Sequence, residues 1–586
     1  MRVLLIVPTF QYTSPGPGFL SITDFPVGLA YLASALKVAG YEVFGLNLNN
    51  DTSFPSKREM VRAKVRQSLQ NISPDLVCLG GLCTDYAFLR DALTAIRECS
   101  PGTPVVMGGG IINNDAEFVF QTLKPDFCIR GEGEEVLVQL AGSLAQGTKD
   151  FSHIPNLGFW ENKTARFTRL DFHYGEIDER AFPDYEPFGI QGLLDDYWLA
   201  ARNLYRYPKI NPRPWPIVAA RSCPFSCTFC VHHRGIKYRA RSIANIMEEL
   251  EFFHSKYQFN VLTLLDELFA VNNERLQQFS EAVLKLKADK GLDFVWTFQT
   301  HASAAFDEDT LALAKRAGCY FYSYGMESAS PTVLASMNKR TKPAQVLGAI
   351  QSANKLKIGF GGNFIFGDPA ENPQTLSETL TFFRDHCTDL HVDMFSIRPY
   401  PGSKLFDFCV NKGLIKDKFE FYEHIDENPI NMTSNPRWWW IIWIMALDYF
   451  GGLHLWLKSS VSVSCELLPD APESPVARHY GMQVYKIGTV CPYCGQKVYL
   501  HEMSNHGETA QAFAISRSKS GIIFWLWQLR TNKWFFTCCY VVAFIASLLV
   551  RPFRLLLYLK NREAFDTSKI LTGCPHCNKR FRLKVV

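Results

Sequence analysis

The feature that most constrains the fold is an alternation of short apolar runs with helical stretches, which begins at residue 2 and resumes after residue 216. Apolar runs of about four to eight residues bounded by turn signals are typical of buried strands. In the N-terminal third, the predicted strands are 2–7, 41–46, 75–80, 104–107 and 126–129. Helical spacing separates most of them, and this order predicts a doubly wound, Rossmann-like parallel sheet within an α/β fold.

Small residues follow three of these predicted strands. Ligands bind a doubly wound sheet beyond the carboxyl ends of its strands, where glycine lets the backbone approach a ligand closely. A dinucleotide is not favoured, because no G-x-G-x-x-G follows the first strand and no P-loop lysine motif is present. The candidate ligand-binding residues are Thr84, Gly108, Gly109, Gly110, Gly131 and Glu132.

Three cysteines form a C-x3-C-x2-C motif at Cys223, Cys227 and Cys230, with Phe229 before the last of them. Thiolates are the usual protein ligands of iron–sulfur clusters, so the three can hold three irons of a 4Fe–4S cube. The fourth iron then has no protein ligand and is open to a small molecule. Two alternatives stay open: three structural cysteines, or a zinc site completed by a histidine from 232–233, because zinc takes four ligands.

This cysteine spacing, together with the aromatic residue, resembles the signature of the radical S-adenosylmethionine (SAM) enzymes. The resemblance implies a partial (β/α)6 barrel over residues 213–425, in which the open iron binds the amino and carboxylate groups of SAM. One electron from the cluster then cleaves SAM to a 5′-deoxyadenosyl radical. Asp266 and Glu267 lie where the family often has two acids near the active site. The residues that the resemblance assigns to SAM are Phe229, Gly325, Met326, Glu327, Asn363, Ile365 and Arg398.

Residues 1–145 resemble the cobalamin (B12)-binding domain that precedes many radical SAM cores. The likeness rests on the stretch 26–33 and on the Arg-Gly-Glu-Gly-Glu turn at 130–134. It implies that the small residues at the strand ends bind cobalamin. The D-x-H-x-x-G motif, whose histidine binds cobalt in another branch of the family, is absent, which agrees with the radical SAM branch. Residues 146–212, rich in Pro, Asn, Asp and aromatic residues, are predicted to link the two domains.

The remaining residues, 426–586, are predicted to form a C-terminal extension with its own metal site. Two Cys-Pro-x-Cys turns, which are separated by about 80 residues, contribute Cys491, Cys494, Cys574 and Cys577. Four thiolates suit a tetrahedral zinc or a rubredoxin-like mononuclear iron. The arrangement resembles a zinc ribbon with an insertion between its halves. A structural role is favoured over a catalytic one, because four protein ligands leave no open position.

Two apolar runs in this extension, 437–447 and 535–550, indicate contact with something hydrophobic. The second has 16 residues, fewer than the roughly 20 that a spanning helix needs. Its flanking Lys and Arg fit a helix lying in the membrane interface, and the alternative is a buried helix pair that lines a substrate pocket. Both interpretations predict an apolar substrate.

The resemblance implies a cobalamin-dependent radical SAM enzyme, with methylation of an unactivated carbon of a lipid or isoprenoid-like substrate as the leading hypothesis. A second SAM would supply the methyl group through cobalamin, and a reductant such as ferredoxin or flavodoxin would supply electrons. The first alternative is a radical SAM enzyme that cyclises or couples a similar substrate. The second is a cobalamin- or redox-sensing protein without turnover, although a sensor needs no open iron.

Net charge and cysteine spacing limit the partners and the cellular location that we expect. The net charge is only +4 and no basic run occurs, so nucleic acid is not an expected partner. No signal peptide is visible, and Cys-x-x-Cys spacings without a secretory signal favour metals over disulfides. We therefore expect a reducing cytoplasmic location, with membrane association through the C-terminal extension as an open alternative.

Overall fold

The computed structural model describes residues 1–9, 12–13, 25–49, 56–195, 213–231, 237–425, 430–437, 439–440, 458, 463–467, 483–504, 571–577 and 579–582. All structural statements concern these residues. The apolar run 535–550, residues 441–447 of the other run and His232 and His233 of the alternative zinc site lie outside them. Within the described residues, no helix combines the length and the apolar character needed to cross a bilayer.

The N-terminal sheet has seven strands in the order β2-β1-β3-β4-β5-β6-β7, and β1 to β5 run parallel. This confirms the predicted doubly wound sheet. The strands are β1 Arg2–Val7, β2 Glu42–Asn47, β3 Leu76–Gly80, β4 Val105–Gly108, β5 Phe127–Ile129, β6 Leu157–Glu161 and β7 Thr164–Phe167. The helices are α1 Val27–Val38, α2 Lys57–Ile72, α3 Tyr86–Cys99, α4 Gly110–Leu123 and α5 Glu134–Ala145.

Strand β1 shows why this sheet has helices on both faces. Successive side chains of a strand point to opposite faces, and in β1 both sets are apolar and buried. Val3 and Leu5 join one hydrophobic cluster, whereas Leu4 and Ile6 join the other. Full burial of such a side chain contributes about 1.5–3 kcal/mol. A strand with no polar face can be stable only between two apolar layers.

The antiparallel hairpin β6–β7 lies within the segment 146–212, which the sequence analysis assigned to the linker. β6 pairs antiparallel with β5, so the first sheet continues beyond residue 145. The hairpin turns at Asn162 and Lys163, which both have positive φ. Two such residues form the type I′ geometry that suits a two-residue hairpin, but lysine does not signal this turn as glycine would.

The second sheet has six parallel strands in the order β15-β14-β13-β12-β11-β8, which confirms the predicted partial barrel. Its strands are β8 Pro214–Ile217, β11 Val261–Leu264, β12 Val295–Thr300, β13 Cys319–Glu327, β14 Gly359–Phe366 and β15 His391–Ser396. Two short strands, β9 Ala220–Arg221 and β10 Arg239–Ala240, pair antiparallel beside it. The first and last strands do not pair with each other, so the barrel is open between β8 and β15.

Helices connect these strands and continue beyond the last one. They are α6 Ile190–Asp195, α7 Ile243–Tyr257, α8 Asn273–Lys290, α9 Glu308–Arg316, α10 Pro331–Ser336, α11 Pro343–Leu356, α12 Pro373–His386, α13 Lys404–Asn411 and α14 Lys418–Glu423. Helix α14 packs on the N-terminal domain, where Tyr422 stacks on Phe118 and Lys418 pairs with Asp115 at 2.8 Å. The two domains are therefore in contact through side chains of both.

The described part of the C-terminal extension contains five antiparallel strands. They are β16 Val463–Leu467, β17 Gln483–Val490, β18 Lys497–Ser504, β19 Leu571–Gly573 and β20 Arg580–Arg582. The first three form one sheet, and β19 and β20 form a hairpin. One Cys-Pro-x-Cys turn lies between β17 and β18 and the other between β19 and β20.

Candidate active site

The cysteine loop, residues 223–230, begins directly beyond the carboxyl end of β8 and the short strand β9. Active sites of barrel enzymes lie at this end of the strands. Ser222 turns the chain into the loop with a φ of 68°. Cys227 is buried, whereas Cys223 and Cys230 are half-buried. The loop therefore offers three cysteines at the expected end of the sheet.

Hydrogen bonds fix this loop to two segments that are distant in the sequence. The Thr228 N–H donates to the Met337 carbonyl at 2.9 Å, and the Thr228 carbonyl accepts from the Leu405 N–H at 3.0 Å. The Asn338 side chain donates to the carbonyl of Ser226 at 2.9 Å. The residues after α10 and the start of α13 thus hold the loop in one conformation.

His301, which could not be identified from the sequence, packs against the cysteine loop. The His301 ring stacks on Phe225, with the ring centres 4.0 Å apart. Its two ring nitrogens lie 2.7 Å from the Ser303 hydroxyl and 3.2 Å from the Thr341 hydroxyl. Burial and the charge of Lys339 lower the pKa of His301 to about 4. His301 is therefore a neutral, fixed support near neutral pH.

A buried ion pair adjoins the cysteines. Lys339 Nζ lies 3.1 Å from Glu327 Oε1, and both side chains are nearly inaccessible to solvent. Burial lowers the pKa of Lys339, but Glu327 and the thiols of Cys227 and Cys230 outweigh burial and raise it. A Cβ on Gly325 would overlap Glu327 Oε1 and lie 2.8 Å from Lys339 Nζ. Glycine at this position therefore accommodates the pair without displacing either side chain.

The positive charge next to the loop suits the cluster that the sequence predicts. Three thiols lie on one fixed loop, and the Lys339 ammonium lies close enough to act electrostatically on Cys227 and Cys230. A nearby cation favours the thiolate form, which is the form that binds metal. Nothing in the sequence marked Lys339, because it follows Glu327 by 12 residues and belongs to no motif.

The other residues assigned to SAM fall into different environments. Phe229 and Ile365 pack against the same apolar cluster, so the structure brings them together. The Met326 side chain is fully buried in the main core, whereas Asn363 is exposed. Arg398 donates to the Ile425 carbonyl at 2.7 Å. The cluster that Phe229 and Ile365 share consists of Val333, Met337, Ile397, Leu405, Phe406, Cys409, Ile415 and Met432.

Asp266, at the end of β11, is the buried member of the predicted acid pair. Its carboxylate accepts a hydrogen bond from the Ala220 N–H, three residues before the first cysteine of the loop. Burial raises the pKa of Asp266 to about 7, although hydrogen bonds from the backbone oppose this shift. Protonation of the Asp266 carboxyl near pH 7 therefore acts on β9, the short strand that precedes the cysteine loop.

We predict that Asp266→Asn flattens the dependence of stability on pH. Burial raises the folded-state pKa of Asp266 to about 7. The contribution of Asp266 to the free energy of unfolding is therefore complete below its unfolded-state pKa. That contribution is lost as the pH rises through about 7. A folded-state pKa about three units above the unfolded-state pKa corresponds to about 4 kcal/mol of the free energy of unfolding. Melting temperatures between about pH 5 and pH 8 should fall less for the variant than for the wild type. The matched control is Asp289→Asn, an exposed carboxylate on α8, and equal slopes for wild type and Asp266→Asn would contradict the prediction.

Five charged residues form an ion network between the N-terminal domain and the strands beside the cysteine loop. We call Glu132, Glu134, Arg180, Arg221 and Arg239 the interdomain network. Arg221 lies 2.8 Å from Glu132 and 2.7 Å from Glu134, and Arg239 also pairs with Glu132. Arg180 lies 3.2 Å from Glu132. The Glu132 carboxylate, predicted to contact cobalamin, contacts three arginines.

Burial opposes ionisation of Glu134, but the adjacent Arg221 outweighs it and lowers the pKa of Glu134. The carboxylate is therefore charged at neutral pH. The Arg221 side chain also lies over the Tyr31 ring, 5.0 Å from its centre. Since Arg221 belongs to β9, the turn at 130–134 holds the strand that leads into the cysteine loop.

The open part of the predicted cobalamin surface lies at the ends of β3 and β4. Gly109 is exposed and has a φ of 82°, and a Cβ there would lie 2.8 Å from the Gly81 carbonyl oxygen. Beside it, Leu82 is 62% exposed. Gly108 and Gly110 flank Gly109 at the end of β4 and the start of α4. Exposed backbone next to an exposed apolar side chain leaves this edge of the sheet open to a ligand.

The remaining predicted cobalamin residues are less open. Thr84 is half-buried in the turn after β3. A Cβ on Gly131 would overlap the Tyr174 hydroxyl, which also accepts a hydrogen bond from the Glu132 N–H at 3.2 Å. Contacts within the protein therefore cover the end of β5.

The carboxyl edges of the two sheets face each other. The turn after β5 contacts Arg221 through Glu132 and Glu134. Beyond β15, the backbone at Gly402 approaches Asn114 of α4 so closely that an added Cβ would lie 2.9 Å from the asparagine Cβ. The cysteine loop and the glycine-lined edge of β3 and β4 therefore border the same interface between the domains.

A second cysteine cluster lies in the C-terminal extension, as predicted. The sulfur atoms of Cys491, Cys494, Cys574 and Cys577 all lie within 4.8 Å of one another. Cys491 and Cys577 are 3.7 Å apart, and Cys494 and Cys574 are 3.6 Å apart. The structure thus joins two motifs separated by about 80 residues into one candidate metal site.

Comparison with known families agrees with both halves of the fold. The family model of the radical SAM superfamily matches residues 217–383, and that of the B12 binding domain matches residues 25–141. The first match contains the whole cysteine loop. The second contains the glycine-lined strand ends and the turn at 130–134.

Relatives include an uncharacterised methyltransferase of Pyrococcus horikoshii, 27% identical over 423 residues, which covers 71% of this chain and 84% of the relative. The anaerobic magnesium-protoporphyrin IX monomethyl ester cyclase of Rubrivivax gelatinosus is 28% identical over 438 residues, covering 72% of this chain and 73% of the relative. Methyltransferases and cyclases are thus both among the relatives.

Solved structures share the fold. The radical S-adenosylmethionine methyltransferase TsrM from Kitasatospora setae has a TM-score of 0.55 at 18% identity, covering 71% of this chain and 77% of that one. The cobalamin-dependent S-adenosylmethionine radical enzyme OxsB has a TM-score of 0.51 at 16% identity, covering 74% of this chain and 58% of that one. At these identities the likeness concerns the fold alone.

Proposed function

Because this chain is a radical SAM protein with a B12-binding domain, we propose that it is a cobalamin-dependent methyltransferase acting on an unactivated carbon of a hydrophobic substrate. The observation that carries the proposal is that the carboxyl edges of the two sheets face each other. The cysteine loop and the glycine-lined edge border one interface, so groups bound at each would meet a substrate held between them. Ligands of open sheets and of barrels bind at these edges.

The chain's own residues would bind and orient the reactants. When bound, a 4Fe–4S cluster supplies the electron that cleaves SAM, and cobalamin carries the methyl group. Cys223, Cys227 and Cys230 are assigned to the cluster. The Glu327 carboxylate is complementary to the ammonium group of SAM, and Lys339 offsets the negative charge of the thiolates.

Exposed apolar side chains support a hydrophobic substrate. Phe395 is 53% exposed near the carboxyl end of β15, on the opposite face from the fully buried Val392. Leu82 is exposed at the edge of the other sheet. Apolar groups left in water at facing edges are places where an apolar ligand gains free energy by burial. A lipid or isoprenoid-like compound is the substrate class that we propose.

The proposal also requires partners. An electron carrier such as ferredoxin or flavodoxin would reduce the cluster. Peripheral contact of the C-terminal extension with a membrane would bring the enzyme to a lipid substrate, and the apolar run 535–550 in the sequence supports this. We propose a cytoplasmic enzyme with this contact.

The test begins with anaerobic reconstitution of the full chain with iron, sulfide and cobalamin. A lipid extract from a deletion strain, compared with that of its parent, supplies the candidate substrate. Incubation with SAM and a reductant should yield 5′-deoxyadenosine, S-adenosylhomocysteine and a product heavier by one methyl group. 5′-Deoxyadenosine without S-adenosylhomocysteine would favour the cyclase class, to which the Rubrivivax gelatinosus relative belongs. A chain that binds cobalamin but forms neither product would indicate the sensor.

Gly109→Ala is predicted to weaken cobalamin binding by about tenfold or more. An L-residue at this φ of 82° and ψ of −170° costs about 1–3 kcal/mol, and its Cβ would lie 2.8 Å from the Gly81 carbonyl oxygen. The local backbone must therefore shift at the proposed cofactor surface. Titration of the protein with cobalamin, followed by absorbance, measures the affinity. The control is Gly348→Ala in α11, where nothing lies within 4 Å of the added Cβ. Equal affinities for the two variants would contradict the assignment of this surface.

A further inference from the structure

The second cysteine cluster lies outside the residues 25–141 and 217–383 that the family models match. A tetrahedral zinc with Zn–S distances of about 2.3 Å places its sulfur ligands about 3.8 Å apart. The distances of 3.7 Å between Cys491 and Cys577 and 3.6 Å between Cys494 and Cys574 agree with that value. The four side chains are thus already arranged for one tetrahedral ion.

The backbone of both turns is arranged around the same centre. The Tyr493 N–H points at the sulfur of Cys491, and the His576 N–H points at the sulfur of Cys574, each at 3.4 Å. Such bonds stabilise negative charge on the sulfur atoms, because a donated hydrogen bond favours an anionic acceptor. Gly495, with a φ of 73°, lets the first turn close directly after Cys494. The two turns therefore present four sulfurs with matching backbone support.

The residues that follow the second turn, in the β19–β20 hairpin, dock on the barrel. Lys579 pairs with Asp389, and the Arg580 N–H donates to the Asp389 carbonyl at 3.0 Å. The Arg580 side chain lies 3.2 Å from Asp393 Oδ1 and donates to His391 Nδ1 at 3.0 Å. Asp389 lies just before β15, and the other two partners lie in its first half. The hairpin thus covers the amino-terminal half of the strand at the open end of the barrel.

The second cysteine cluster lies away from the candidate active site. The cysteine loop lies at the carboxyl ends of the barrel strands, whereas the hairpin contacts β15 at its amino-terminal half. In α/β barrels, the amino-terminal face contributes stability and the carboxyl face contributes catalysis. An unpaired edge strand is also exposed to wrong pairing unless another segment covers it. Both considerations favour a structural ion over an electron-transfer iron.

We propose that Cys491, Cys494, Cys574 and Cys577 bind one structural zinc ion, and that this ion fixes Lys579 and Arg580 against β15 to close the open end of the barrel. The metal joins two turns that about 80 residues separate. Because Cys577 is only two residues from Lys579, an ordered metal site also orders the docking residues. Metal binding of this kind supplies folding free energy directly.

The first experiment measures metal in the anaerobically purified full chain. Elemental analysis should find about one zinc per chain in addition to the iron of the 4Fe–4S cluster. Cys494→Ser removes the most exposed of the four ligands, so its cost to packing is small. This variant should lose the zinc and keep the iron and sulfide. A ferric tetrathiolate absorbance that disappears in Cys494→Ser, with no zinc in the wild type, would overturn the proposal.

The second experiment measures hydrogen exchange of the backbone amides in β15. Exchange there should rise about tenfold or more in Cys494→Ser, because charge-assisted hydrogen bonds to the strand are lost. The control segment is β1, which should not change. The double variant Lys579→Ala/Arg580→Ala should keep the zinc and show the same faster exchange. Unchanged exchange in β15 in either variant would overturn the role of the ion in closing the barrel. Neither experiment depends on methyl transfer.

Discussion

Cys227→Ala is expected to reduce the formation of 5′-deoxyadenosine from SAM to background. Cys227 is the buried member of the three cysteines, and its thiol hydrogen-bonds with Cys230. The two remaining cysteines cannot hold the 4Fe–4S cluster that three cysteines hold with one iron left open. The electron that cleaves SAM comes from this cluster, so its loss stops cleavage. The substitution removes a single sulfur atom and leaves the backbone bond between Thr228 and Met337 available. The measurement is 5′-deoxyadenosine after anaerobic reconstitution, together with bound iron and sulfide.

The matched control for this variant is Cys387→Ala. Cys387 is also fully buried, and it ends helix α12 rather than lying in the loop. The same chemical change there costs packing but lies outside the cysteine loop. This control should retain iron and SAM cleavage. If Cys227→Ala still forms 5′-deoxyadenosine at the rate of the control, the loop does not hold the cluster, and the proposed function fails with it.

Arg221→Gln is expected to destabilise the chain and to lower methylation more than SAM cleavage. Arg221 pairs with Glu132 and Glu134, and loss of one partner from a buried ion pair costs about 3–5 kcal/mol. Because Arg221 belongs to β9 and both glutamates belong to the N-terminal domain, the interdomain network holds the two candidate cofactor surfaces together. The expected result is a lower melting temperature and a lower ratio of methylated product to 5′-deoxyadenosine.

A double-mutant cycle isolates this interaction. Arg221→Gln, Glu134→Gln and the double variant should show a coupling of about 0.5–3 kcal/mol, as expected for residues in one ion network. The control is Arg166→Gln, which removes an arginine from an exposed pair with Glu161. Exposed pairs contribute about 0–1 kcal/mol, so the control should change little. If Arg221→Gln behaves like Arg166→Gln in both stability and product ratio, the network does not couple the domains.

Several parts of the site could not be predicted from the sequence. Lys339 follows α10 in a stretch without a motif, and it reaches the cysteines because the chain returns to them after three strands of the barrel. His301 lies 76 residues beyond Phe225, on which it stacks. Glu132 was predicted as a cobalamin contact from its position after a strand. Its partners Arg221 and Arg239 belong to the other domain, and strand order does not predict such contacts.

The sequence by itself determined the two parallel sheets, the cysteine loop and the pairs of cysteines in the extension. Apolar periodicity and ligand spacing are local properties, and hydrophobic burial and metal chemistry constrain them within a few residues. Only the tertiary structure decided which groups face each other. It set Lys339 beside Cys227, Arg221 against Glu134, and Arg580 against Asp393, which is 187 residues away. Such contacts depend on how whole helices and strands pack against each other. A charged side chain pairs with whichever opposite charge this packing brings close, and the local sequence does not determine which one that is.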